Sequence, residues 1–298
     1  MPAPSLDDAK TRWNRAGEHV NSLNAACQTI IKSGGYGFEP DCDADGKGKI
    51  VFHDRVDPEL LRLTSTFFGE VISNLWAARN YVVWHLACLR ENTELPSNWQ
   101  YMGFPVFKAE PGPTETFWGR AQGKLKGLTP ADVAEIETVQ PYQTGNPDPA
   151  TGLRQADPTA PHYVLEELAI LDRHRRLAVT ALFPVFMHPD VLVVSGDATI
   201  SNLTPDESKI GKALKDGDVI ASFLVKNTTE CVFATSPGAI VQIFPRDVVT
   251  PGDGTNTFDV WVRWMQQCVA DLIDKFAPEF GEDLLNWSTN VPRWPGTA

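Results

Sequence analysis

Positive charge is what this chain has little of: 26 lysines and arginines stand against 38 aspartates and glutamates, a formal net charge of −12 with a pI near 4.9. That balance excludes a broad basic footprint for nucleic acid or an anionic membrane, though not a local basic patch. Cysteine is scarce too. The five (Cys27, Cys42, Cys88, Cys231, Cys268) are odd in number, scattered and without a C-x-x-C pair. This predicts reduced thiols in a cytoplasmic protein, and neither a disulfide framework nor a zinc site. The opening stretch MPAPSLDDAKTRW carries charge early and lacks an apolar core, so no secretory signal is expected. Without one, the N-x-S/T triplets at Asn202, Asn227 and Asn286 mean little. No uninterrupted apolar run approaches the roughly 20 residues that span a bilayer, and no membrane partner is expected. HExxH, GxSxG and a dinucleotide fingerprint after a strand are all missing, which leaves zinc-protease, hydrolase and Rossmann readings unsupported.

What is present is a chain of 298 residues, 42% hydrophobic, enough for one large domain or two closely packed ones. Apolar residues at three- and four-residue spacings predict a helix over 7–32, ending at Gly34-Gly35. Two strands around an Asp/Gly-rich turn follow. Pro58 stands where a first-turn proline belongs and opens a long helix to about Glu91. Two shorter helices are expected near 114–126 and 130–139, the second behind an imperfect Thr-x-x-Asp capping box. Residues 143–161 form a Pro/Gly/Asp-rich exposed loop, and a strong helix is expected over 162–182. Beyond Pro184 the pattern alternates in VLVVSGD, DVIASFLVKN, CVFATS and AIVQIFP, which predicts an antiparallel sheet before a last helix at about 257–277. The expected class is α+β. A helical bundle over 1–184, with a β-hairpin at about 36–56, packs with a β-rich region over 185–298 that ends in a helix.

Two motifs dissolve on inspection. DCDADG (Asp41, Asp43, Asp45, Gly46) matches the first half of an EF-hand loop, but position twelve is Phe52 and a strand follows. A tight hairpin turn uses the same residues. GRAQGKLKG has too short a glycine spacing for a phosphate loop and no Ser/Thr after its lysine.

The run NLWAARNYVVWHLACL, residues 74–89, leaves no polar face, and a helix apolar all round is a central one. Arg79, Asn80 and His85 interrupt it, and a charge placed there is costly unless paired. The partners expected lie on HYVLEELAILDRHRRLAV: Glu167, Asp172, His174 and Arg175, with Arg79–Glu167 the pair that docks the two helices. Asp172 and Arg176, four apart, read as a surface pair. The same three polar residues also suit chemistry. A histidine can act as general acid or base on a ribose hydroxyl while an arginine stabilises phosphate charge, with no metal or cofactor.

Arg79 and His85 resemble the R-x(4–6)-H motif of the HEPN superfamily of helical nucleases. On an ideal helix residues six apart stand about 120° from one another, so convergence needs a distortion or a second subunit. GEVISNLWAARNYVVWHLA, FPVF, GKLKGLTPADVAEIETVQPY and VLEELAILDRHRRL, in that order, also resemble a widespread bacterial family without established activity. The likeness covers roughly 36–182. Where that family reads N-L-R-S-A-L-D-H-L, its Arg, Asp and His fall on Trp76, Asn80 and Tyr81. Arg79 and His85 stand about one helical turn further along. Its D-K-H-R motif is kept as Asp172-Arg173-His174-Arg175. The favoured reading is a non-catalytic binding or interaction protein, with the polar residues as architecture and the 190–245 sheet as recognition surface. The alternative is a HEPN-like, metal-independent ribonuclease of toxin or phage-defence type, using Arg79 and His85 on RNA as a homodimer. A metal hydrolase built on His85, His174 and Glu167 has no ligand spacing behind it and ranks last.

Overall fold

The computed structural model describes residues 4–173, 179–187, 190–195, 199–209, 214–226, 232–236, 239–245 and 258–282. It is an α+β fold. The chain divides into two compact units, each discontinuous in sequence: residues 1–21, 67–176 and 259–298 in the first, 22–66 and 177–258 in the second. None of the described helices is long and apolar enough to cross a membrane.

The first unit is helical. It takes the opening half of α1 (Asp7–Lys32), α2 (Pro58–Glu91) from Phe67 on, α3 (Phe117–Leu125), α4 (Pro130–Thr138), α5 (Pro161–Arg173) and nearly all of α6 (Phe258–Phe276). The expectation for α2 is met: between Val71 and Arg90 only Ser73 is exposed. Asn92 stops that helix by taking a left-handed φ of 50°, which asparagine tolerates. At the start of α4 the Thr129 hydroxyl accepts from the Asp132 N–H at 3.2 Å, and the Asp132 carboxylate accepts from the Thr129 N–H at 2.9 Å. Aspartate therefore completes the capping box here. Asp132 also takes two guanidinium hydrogen bonds from Arg90, at 2.9 and 2.7 Å, which ties α4 to the end of α2. The Pro/Gly/Asp-rich segment folds back on residues 108–110: Ala156 donates to the Lys108 carbonyl, and the Arg154 guanidinium reaches Glu110 at 3.0 Å. A Cβ on Gly145 would lie 1.6 Å from the Gln155 carbonyl oxygen, so only glycine permits that closure.

The second unit holds the rest of α1, the start of α2 and the strands. β1 (Tyr36–Cys42) and β2 (Lys47–Asp54) form the expected hairpin, and Asp43 Oδ1 accepts the N–H groups of Asp45 and Lys47 across its turn. Phe52, the would-be twelfth EF-hand position, is wholly buried. β5 (Thr199–Pro205) and β6 (Val219–Lys226) complete a sheet of order β1-β2-β6-β5, antiparallel throughout. Ile50, Phe52, Ile220 and Phe223 fill its core. Thus the hairpin, expected with the helical part, pairs through β2 with a strand from beyond residue 185. Two further antiparallel pairs join β3 (Val179–Met187) to β8 (Ala239–Pro245) and β4 (Asp190–Ser195) to β7 (Val232–Ser236).

One expected element is corrected. The helix over 162–182 ends, among described residues, at Arg173, and Val179–Met187 is a strand. VTALFPVFM is rich in β-branched and aromatic residues, and its Pro184 sits at a register shift against β8, where a missing N–H is tolerated.

Candidate functional site

Arg79 is completely buried. Its guanidinium pairs with Glu166, donates to the His162 carbonyl at 3.1 Å and lies 5.0 Å from the Phe104 ring centroid. Burial pulls its pKa down, and the Glu166 carboxylate pushes back. Among the described residues its Nε has no acceptor. Trp76 donates its indole N–H to the same Glu166 oxygen at 3.0 Å, and the Arg173 guanidinium stacks 4.8 Å from the Trp76 ring. The predicted partner Glu167 is instead a half-exposed residue paired with Lys108 at 3.0 Å. The difference is one residue of helix rotation. His162, Leu165, Glu166 and Ala169 form an i, i+3, i+4, i+7 stripe that holds three buried residues, whereas Glu167 falls outside it.

Asn80 has a backbone role. Its amide oxygen accepts the Phe104 N–H at 2.8 Å and its amide nitrogen donates to the Trp76 carbonyl at 2.9 Å. Phe104 in turn stacks on the His162 ring at 4.9 Å. Gln140 clamps the next residues: Nε2 donates to the Pro105 carbonyl at 2.9 Å, and Oε1 accepts the Phe107 N–H at 3.2 Å. The stretches NLWAARN, FPVF, QPY and LEELAI therefore meet in one network.

His85 lies elsewhere and shares no described partner with Arg79. Its Nε2 stands 3.2 Å from an Asp8 oxygen, within ion-pair distance but out of hydrogen-bond alignment. Burial lowers its pKa and Asp8 opposes the shift. Asp172 has its pKa raised by burial and by the neighbouring Glu70, and it packs against Gly69 of α2. His174, Arg175 and Arg176 fall outside the described residues. Among those described, no group of three or more His, Cys, Asp or Glu is placed to hold a metal.

The network borders a cavity of about 430 Å³ between the end of α4, the 3₁₀ turn Pro141–Gln143, the start of α5 and one face of α6. His162 and Cys268 both line it, with Cys268 Sγ 3.6 Å from His162 Nδ1. Burial is the first cause of both pKa shifts. It holds the imidazole down at about 3, aided by the Arg79 charge, and pushes the thiol up to about 12, against the pull of Arg79. At neutral pH the pair is an uncharged thiol beside an uncharged imidazole. Nucleophilic cysteine chemistry needs the thiolate, so this pair is poised for contact rather than attack. Sequence reasoning did not find Glu166, His162 or Cys268. The i, i+4 relation of His162 to Glu166 is a usable signal, but Cys268 lies 106 residues from His162 and carries none.

Comparison with family models, with curated proteins and with solved structures finds no match for this chain.

Proposed function

We propose that this chain is a non-catalytic binding protein, in which the polar residues of α2 are architecture and the cavity beside His162 and Cys268 takes the ligand. One observation carries the reading: Arg79, the group a nuclease would need at the scissile phosphate, is 0% exposed and has its charge matched by Glu166. A transition-state donor must reach the position where charge develops, and no solvent-facing atom of Arg79 does so. The neutral thiol–imidazole pair also favours binding over acyl transfer. A ligand cavity of some 300–1,000 Å³ with a few convergent polar groups is the usual form of a small-molecule site. The recognition surface expected over 190–245 falls mostly on side chains outside the described residues.

The HEPN-like ribonuclease is the alternative that a direct test separates. Wild type and a folded His85→Ala variant are incubated with a mixed RNA pool, with and without EDTA. No cleavage above the buffer control is expected from either protein. Cleavage that survives EDTA and disappears in the variant overturns the binding reading.

A further inference from the structure

We propose that the cavity beside Cys268 is a site for a small organic cation, an amine or quaternary ammonium, held between the Trp264 indole and the carboxylates of Asp157 and Asp271. The assignment rests on the binding reading above and gives its ligand a chemical class. Its basis is the charge of the walls. Among the described residues, two carboxylates line the cavity and no lysine or arginine does. Among the described residues each carboxylate uses only one oxygen. Asp157 Oδ1 accepts the Thr159 N–H and hydroxyl at 2.8 and 2.6 Å, and Asp271 Oδ1 accepts the Gln267 amide at 2.7 Å. The other oxygen of each has no partner among the described residues.

Described cations that touch wall residues are already engaged: Arg154, which donates to the Gln143 carbonyl, is paired with Glu110. Lys275 donates to Glu135 and to the hydroxyl of Thr138, itself a wall residue. Arg79, behind His162, is paired with Glu166. The floor formed by His162 and Cys268 adds hydrogen-bonding surface and no charge. Trp264 lines the cavity, yet 41% of its surface remains exposed. Trp261 packs against it edge-on at 5.5 Å. An indole and carboxylates lining one cavity, with no lysine or arginine among its described walls, are the groups that favour cationic nitrogen over an isosteric neutral group. Anionic ligands are disfavoured by the same two carboxylates.

The test is isothermal titration of the full chain at fixed ionic strength with choline, putrescine, the neutral choline isostere 3,3-dimethylbutan-1-ol, and acetate. A single site for choline or putrescine is expected, with the neutral isostere about tenfold weaker or worse and acetate silent. Trp264→Ala and the pair Asp157→Asn/Asp271→Asn should each weaken the cation at least about fivefold. These residues lie at the cavity surface, and thermal unfolding by circular dichroism checks that the fold is kept. Equal affinity for choline and its neutral isostere overturns the cation assignment and leaves a binding cavity. Acetate binding, indifference to both substitutions, or no binding of either cation also overturns it. Failure of the binding reading itself shows separately, as EDTA-resistant RNA cleavage.

Discussion

Replacing Arg79 by methionine removes a buried charge while keeping much of its volume, so it isolates the electrostatics of the network. Glu166 loses its counter-charge, the His162 carbonyl loses a donor, and the Phe104 ring loses the guanidinium over its face. Truncating one partner of a buried ion pair costs about 3–5 kcal/mol, because the other charge is left unpaired. Glu166 is 19% exposed and keeps the Trp76 N–H, so the lower end, about 3 kcal/mol, is expected. Glu166→Gln strands a fully enclosed guanidinium and should cost about as much or more, 3–5 kcal/mol. The double variant Arg79→Met/Glu166→Gln leaves no unpaired charge and preserves an acceptor for Trp76. Its loss should fall well short of the sum of the single losses. Glu167→Gln, at the position expected from sequence, breaks only the exposed pair with Lys108 and should change stability by less than about 0.5 kcal/mol. Urea unfolding followed by far-UV circular dichroism reads all four. A cost below about 1 kcal/mol for Arg79→Met, or strict additivity in the double variant, would refute an enclosed and paired guanidinium.

His162 sets a pH dependence. With a folded pKa of about 3 against 6.5 in an ordinary histidine, the unfolded chain binds the extra proton between those values. Stability from this group is therefore full above pH 6.5 and falls as the pH drops, by about 1.4 kcal/mol per unit. His162→Phe should flatten the profile of unfolding midpoint against pH in that window, and parallel profiles would count against the burial account. Asp132→Ala removes both the cap on α4 and the Arg90 pair, at an expected cost of about 2–4 kcal/mol. Asp132→Asn, which keeps an acceptor for the cap, should recover part of that in thermal unfolding, whereas equal losses would argue that the cap contributes nothing. In the second unit, a Cβ on Gly48 would come within 2.1 Å of the buried Phe223 ring. Gly48→Ala should cost about 1–3 kcal/mol, and adding Phe223→Leu should return some of it. A neutral Gly48→Ala would contradict the close β2–β6 packing.

The central helix was legible because its signals are local. Pro58 marks its first turn, and a run without a polar face means enclosure whatever the partner is. The hairpin was legible for the same reason: Asp43 closes its turn through hydrogen bonds to Asp45 and Lys47. Its pairing with β6 was not, since that contact joins residues about 170 positions apart and leaves no periodicity behind. LAVTALF could continue a helix or begin a strand, because a short apolar run carries too little period to decide. The choice between Glu166 and Glu167 turned on about 100° of helix rotation. The buried face of α5 runs through His162, Leu165 and Ala169, which brings Glu166 into its stripe and leaves Glu167 outside it. Cys268 was invisible for a different reason. A single thiol on an amphipathic helix becomes noteworthy only when tertiary packing brings His162 to it.

His162 joins the network to the cavity, and this gives Arg79 a reach beyond the helix it docks. The residue accepts Arg79 through its carbonyl, stacks on Phe104 and presents its ring to Cys268 at the cavity wall. Burial makes a positive charge on the imidazole costly, and a guanidinium fixed on one side adds to that cost. The floor of the cavity therefore stays neutral through the physiological range, and Asp157 and Asp271 are the charged side chains among its described walls. Had the same histidine been free to protonate near pH 6.5, the cavity would lose part of its negative potential as the pH fell. An arginine enclosed for structural reasons thus also reinforces, beside burial, the constant electrostatics of a site whose histidine it pairs with only through the backbone.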